Sequence, residues 1–162
     1  MNGLCKCVIF RTGCKFLGRY LYHKLDKLPS NSNRAIILYW FIRLLEKEDY
    51  HLGFLNLLNS LTRTPETSYG SFCEQYDLIN KICPTNYIYV LTLTSKENRE
   101  ILVGTFKLII EPKFHNNFAN MGHIEDVVVS SQYRGYGYGK EMIDFGVKEA
   151  FASKCYKVVL NC

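Results

Sequence analysis

From Arg34 onward, apolar runs alternate with polar stretches, and the spacing inside each run separates strands from helices. β-Branched and aromatic residues crowd "AIILYWFIRLL", which predicts a first strand. "EDYHLGFLNLLNSLT" sets Leu52, Leu55, Leu58 and Leu61 three apart and predicts a helix with these leucines in the core. "PETSYGSFCEQYDLINKI" predicts a second helix with Phe72, Tyr76 and Ile79 on one side. "NYIYVLTLT" and "ILVGTFKLIIE", joined by the polar "SKENR", predict a hairpin. "HIEDVVV" reads as a further strand, "KEMIDFGVKEAFASK" as a helix and "CYKVVLNC" as a last strand. Helices ahead of a run of strands, then strand, loop, helix and strand, define an α/β domain. No internal repeat or low-complexity tract interrupts it.

The first 33 residues break this pattern. Lys6, Arg11, Lys15, Arg19 and Lys24 precede the first acid, Asp26, without the long apolar core of a secretory signal or a run able to span a membrane. "LPSNSN" has the composition of a linker. Residues 1–33 are therefore read as a basic extension, a surface helix or an import segment, and 34–162 as the folded domain.

Composition narrows the partners. The chain is 48% hydrophobic and 22% charged, ordinary for a soluble globular protein, and its net charge of +5 favours anionic ligands. Seven cysteines, odd in number and without a C-x-x-C pair, fit a reducing, cytoplasmic setting, and no metal site is expected.

Chemistry concentrates in "QYRGYGYGKEM", where Gly135, Gly137 and Gly139 stand between a strand and a helix. A dinucleotide fingerprint needs its third glycine one place later, where Lys140 stands, and an acid about twenty residues on. A Walker loop needs Ser or Thr after its lysine, but Lys140 precedes Glu141, and Arg134 occupies the first glycine position. What remains is R-G-x-G-x-G opening a helix: backbone N–H groups and the helix dipole would cradle phosphate oxygens, with Arg134 and Lys140 adding charge. The alternative is a glycine-rich surface turn. The pattern resembles the pyrophosphate loop by which Gcn5-related acetyltransferases hold acetyl-coenzyme A.

"LEKEDYHLGFLNLLNSLT", "ILVGTFKLIIEPKF", "GHIEDVVVSSQYRGYGYGK" and "CYKVVL" together resemble the glucosamine-6-phosphate N-acetyltransferases, in the same order, over about Leu45 to Cys162. The resemblance implies a mixed, mostly antiparallel sheet flanked by helices. It also implies transfer of acetyl from acetyl-coenzyme A to glucosamine 6-phosphate on the route to UDP-N-acetylglucosamine, by a homodimer, with no metal, nucleic acid or membrane insertion. On the cofactor side it points to the backbone of Val127, Val128 and Val129, to Arg134, Gly135, Tyr136, Gly137, Tyr138, Gly139 and Lys140, and to Asn161. On the sugar side it points to Thr62, to Lys113, Phe114, His115 and Asn116, to Glu125, Asp126 and Val127, and to Tyr156 and Lys157. Lys113 and Lys157 suit phosphate; the carboxylates suit an ammonium or hydroxyls.

Glu125 is the candidate catalytic residue. Adjacent strand residues face opposite ways, so only one of Glu125 and Asp126 is expected to face the amine. The amine needs no strong base, since an α-amino group titrates at roughly 7.7 to 8.0; Glu125, a water or backbone carbonyls are the candidate acceptors. The chain departs from the family at "KFHN", where Asn116 stands at a position often held by histidine. Past "CYKVVLNC" the family continues into a helix and strand carrying a thiolate-protonating tyrosine and a phosphate contact, so the chain is expected to lack the last strand, either as a piece of a longer protein or as a shortened form of doubtful activity. Two other readings stay open: an acetyltransferase for another amine, and a coenzyme A-binding or dimerisation module without activity.

Overall fold

The computed structural model describes residues 20–22, 37–95 and 99–161. A sheet of six strands runs in chain order: β1 (Tyr20–Tyr22), β2 (Ile37–Leu44), β3 (Asn86–Ser95), β4 (Glu100–Pro112), β5 (Asn120–Val129) and β6 (Cys155–Leu160). Neighbours are antiparallel except β5 and β6, whose parallel pairing needs a crossover. Helix α3 (Tyr138–Ala152) supplies it. Helices α1 (Phe54–Leu58) and α2 (Tyr69–Ile82) fill the connection from β2 to β3. The mixed, mostly antiparallel sheet expected from the sequence is therefore present. β1 lies inside the stretch read as preceding the domain, yet its three residues pair with Trp40 to Ile42. The rest of the basic extension lies outside the described residues.

Two apolar layers sandwich the sheet. On one face Trp40, Tyr89, Leu91, Phe106, Leu108 and Ile124 pack against Tyr138, Met142 and Phe145 of α3. The helix sits close because Gly146 lacks a side chain: a Cβ there would meet Ile124 Cδ1 and Phe106 Cε2 at 2.9 Å. On the other face Leu45, Val90, Leu102 and Val128 pack against Phe54 and Leu57 of α1 and Phe72 of α2. Ser68 caps α2 by accepting from the Ser71 N–H at 3.2 Å; Phe72 is buried and Tyr76 packs against the same layer as their spacing predicts, while Ile79 is half-buried. Burial of Phe72 alone is worth about 1.5–3 kcal/mol.

The leucine stripe is a correction. Gly53 adopts φ +87° and breaks the expected helix into a 3₁₀ turn, Lys47–Tyr50, and the short α1. The new start rotates the face, so Phe54 and Leu57 are buried, Leu55 and Leu58 are half-buried, and Leu52 and Leu61 are exposed. Beneath the 3₁₀ turn, Arg43 (4% exposed) donates from both terminal nitrogens to Asp49 (0% exposed) at 2.7 Å, and to Glu100 at 2.9 Å. This pair ties the end of β2 to the turn and to the start of β4.

Candidate active site

The site is organised by one irregularity in β5. Thr105 pairs with Val128 and Lys107 with Glu125, so Asp126 and Val127 together oppose Phe106 alone. Asp126 takes the left-handed conformation, φ 54°, uncommon for a residue with a side chain. Such a bulge shifts side-chain alternation by one residue. Ile124 accordingly packs on the α3 face, while Val128, four residues on, packs against Leu57 and Phe72 on the other. Strand alternation without a bulge would have put both on one face.

The bulge also brings both adjacent acids to one cation, where strict alternation would send them to opposite faces. Lys107 Nζ lies 3.0 Å from Glu125 Oε2 and 3.0 Å from Asp126 Oδ2. Asn161 donates from its side-chain amide to Glu125 Oε1 at 3.2 Å and lies 3.5 Å from His123 Nδ1, while His123 Nε2 is 3.0 Å from Glu111 Oε2. A hydrogen on Nε2 satisfies both histidine contacts. Glu111 in turn pairs with Lys113. A polar file thus runs from Lys113 to Asp126 across β4, β5 and the end of β6.

Its electrostatics follow from these contacts. The Lys107 hydrogen bond, with help from Asn161, holds the Glu125 carboxyl below its ordinary range. Burial pulls the Lys107 ammonium down, but its bonds to Glu125 and Asp126 outweigh that and raise it. Lys113, then His123, lower Glu111. Because the folded value for Glu125 is depressed, its pairing is complete above the unfolded carboxylate range and is lost only as pH falls through the lower folded value. At neutral pH Glu125 is a carboxylate and a weak base.

On the cofactor side, pairing of β6 to β5 ends at Ile124 with Leu160, and the Asn161 N–H closes it on Ile124 O at 2.9 Å. From Glu125 to Val129, β5 has β4 on one side and no strand on the other among the described residues. No strand covers the main chain of Val127, Val128 and Val129 on that side, though Val129 O is taken by Arg134; their side chains are core, Val127 and Val129 towards α3 and Val128 towards α1.

The glycine loop follows directly. Arg134 Nε donates to Val129 O at 3.1 Å, holding the loop against the strand end. Gly135 and Gly137 have φ +85° and +86°, and a Cβ on either meets nothing within 4 Å, so open space borders the backbone. Gly137 caps α3 without a side-chain hydrogen bond, leaving the first-turn N–H groups for a ligand. These features fit a pyrophosphate. Tyr136 is exposed, but Tyr138 turns its ring into the core, edge-on to Trp40 at 6.3 Å, and burial pushes its hydroxyl up to about 12. Only the Tyr138 main chain can serve the loop. Lys140 is exposed and pairs with Asp144 one helical turn on.

The remaining expected residues fall in two places. His115 lies edge-on to Tyr156, ring centroids 5.8 Å apart, and Lys157 Nζ lies 5.5 Å from the Tyr156 ring centroid. Asn116 contacts His115 Nδ1 at 2.9 Å in a loop whose Asn116, Asn117 and Phe118 are all left-handed. Phe114 is 94% exposed. Thr62 is also exposed, in the turn after α1, and its carbonyl accepts from Thr64 Oγ1 at 3.2 Å rather than from the polar file. Lys107, Glu111 and His123 were not singled out from the sequence. His123 shares the face of Glu125 two residues on, a signal present in "GHIED", whereas Lys107 required the strand register.

A glycine-opened helix following a strand with one free edge, in a sheet that is antiparallel until that strand, is the arrangement of an acetyltransferase, and the chain belongs to the acetyltransferase (GNAT) family, whose model matches residues 54–162. Within it, the chain is similar to glucosamine 6-phosphate N-acetyltransferases. It is 36% identical to that of Arabidopsis thaliana over 121 residues, 75% of this chain and 79% of the relative, and 33% identical to that of Dictyostelium discoideum over 74% of each. The crystal structure of the Arabidopsis enzyme superposes with TM-score 0.67 at 34% identity, covering 76% of this chain and 82% of that one. A Trypanosoma brucei acetyltransferase does so at TM-score 0.66 and 33% identity, with 76% and 82% covered.

Proposed function

We propose that the chain transfers the acetyl group of acetyl-coenzyme A to the amine of glucosamine 6-phosphate, giving N-acetylglucosamine 6-phosphate and coenzyme A. The observation that carries this reading is the bulge at Asp126, which brings two carboxylates to one cation at the start of the strand's free edge, ahead of the glycine loop. The similarity to glucosamine 6-phosphate N-acetyltransferases supports the same substrate. Acetyl-coenzyme A would supply the activated thioester, held by the main chain of Val127 to Val129 and of Gly135 to Lys140.

Glu125, ionised and fixed by Lys107 and Asn161, accepts an N–H of the substrate amine and orients its lone pair. The amine loses one proton to solvent water as its nitrogen–carbon bond forms and the carbon–sulfur bond breaks, and the departing coenzyme A thiolate takes up one proton from solvent to leave as the thiol. Lys157, beside Tyr156, and Lys113 are the proposed phosphate contacts, with Phe114, His115 and Asn116 forming the rim and Thr62 approaching from the α1 side. A homodimer, the cytoplasm and the route to UDP-N-acetylglucosamine complete the proposal.

Loss of a hydrogen bond to a charged group costs about 1.5–3 kcal/mol, so Glu125→Ala should lower kcat/KM about 10- to 150-fold. The acid limb of kcat/KM should stay with the substrate amine, at roughly 7.7 to 8.0 or below, in wild type and variant alike. A limb that moves with the variant would instead make Glu125 the proton acceptor. Substrate is tested by thiol release across a panel of glucosamine 6-phosphate, other amino sugars, small amines and lysine peptides. Highest kcat/KM for glucosamine 6-phosphate is expected; preference for a lysine peptide, or coenzyme A binding without release, would favour another acetyltransferase or an inactive module.

A further inference from the structure

Lys107 occupies a place that a substrate would be expected to use. Its ammonium sits 3.0 Å from each of two carboxylates, Glu125 and Asp126, and a primary ammonium between two acids is chemically the bound form of a protonated amino sugar. The arrangement is built, not incidental: Lys107 and Glu125 are register partners, and only the left-handed bulge brings Asp126 to the same cation. Lys107 and Glu125 are also half-buried, with side chains 27% and 28% exposed, so their charges are not fully screened.

Two uncompensated carboxylates would bind the ammonium form of the substrate well and react with it poorly. They stabilise the positive charge and withhold the lone pair that must attack. We propose that Lys107 is a positioning residue that cancels one of these charges and so selects the neutral, nucleophilic form of the amine. The inference rests on the acetyl-transfer reading above.

The other groups facing this cluster are few among the described residues. His123 is linked to Glu125 through Asn161 and also adds a minor charge effect that helps hold its carboxyl low, and Glu111 and Lys113 balance each other at the far end of the file. None lies between Lys107 and the two acids. Lys107 thus sets the local balance at minus one, where its removal leaves minus two.

An added unit of opposite charge within about 4–6 Å favours the charged form of a titrating group by a factor of ten or more. Lys107→Met should therefore tighten binding of glucosamine 6-phosphate at pH 7 about tenfold, without tightening that of N-acetylglucosamine 6-phosphate, which has no amine to charge. It should also lower kcat and KM together and move the acid limb of kcat, which reports the bound complex, about one pH unit or more to the alkaline side. Lys107→Arg keeps the charge and should leave that limb where it is.

Calorimetric binding of the two sugars, with pH profiles of kcat for all three proteins, decides the matter. Looser binding of the amino sugar by Lys107→Met, equal gains for both sugars, or an unmoved limb would overturn the role assigned to Lys107. Absence of acetylation by the wild-type chain would overturn the substrate reading instead, and the calorimetric comparison would still decide the charge effect.

Discussion

Asp49→Ala should destabilise the fold by about 3–5 kcal/mol, the cost of leaving one member of a buried ion pair without its partner. Asp49 has no exposed surface, receives both terminal nitrogens of Arg43 at 2.7 Å, and accepts the Glu46 N–H at 2.8 Å. After truncation the guanidinium keeps Glu100 at 2.9 Å, the Leu44 carbonyl at 3.2 Å and a longer approach to Glu46 at 4.0 Å, all nearer the surface than Asp49, and the Glu46 N–H loses its side-chain acceptor. Since a domain's whole stability is about 5–15 kcal/mol, the variant should be partly unfolded at physiological temperature. The double change Arg43→Met with Asp49→Leu should cost far less, because it removes both charges. Urea denaturation of the two variants makes the comparison. A single variant within about 1 kcal/mol of wild type would mean that the pair behaves like a surface ion pair.

Acetyl-coenzyme A at a hundred times its dissociation constant should stabilise the chain by about 2.7 kcal/mol, and Gly137→Val should abolish this. NAD and ATP should do much less, because the loop fits neither a dinucleotide fingerprint nor a Walker loop. At Gly137 two effects coincide: φ of +86° is unfavourable for a β-branched residue, and the side chain would fill the space beside the N–H groups. Gly139 separates them. It lies in the first turn of α3, and a Cβ there would meet Val129 Cγ2 at 3.8 Å, ordinary contact. Gly139→Ala should therefore leave the unliganded chain as stable or slightly more so while weakening acetyl-coenzyme A, if the main chain itself receives the pyrophosphate. Thermal unfolding with each ligand reads all of this. Equal stabilisation by NAD, or an undiminished effect in Gly137→Val, would contradict a pyrophosphate loop.

How much of this was legible beforehand depends on whether short-range pattern or long-range register decides. β2 to β6 and helices α2 and α3 follow from runs of β-branched residues or from helical spacing, both local. The leucine helix failed because Gly53, a single residue in left-handed conformation, resets the helical face, and three-residue spacing has no unique phase in a helix of five residues. Tyr138 looked like a loop residue from its glycine neighbours, but opening the helix points its ring at Trp40. The acids of "GHIED" were legible as chemistry and illegible as geometry. Nothing in the local sequence signals that Asp126 takes φ 54°, and without that bulge its sharing of the Lys107 ammonium with Glu125 does not follow. Likewise, Tyr20–Tyr22 carry no strand pattern of their own and join the sheet through β2.

The most direct measurement follows the nitrogen of glucosamine 6-phosphate during incubation with acetyl-coenzyme A and the chain. Nuclear magnetic resonance should show one acetyl group entering an amide at the sugar nitrogen, with one thiol released for each, and glucose 6-phosphate, which has no amine, should remain unchanged. Acetyl-coenzyme A bound and intact, with the amine unmodified, would contradict an acetyl-transfer site joining the glycine loop to Glu125 and Asp126.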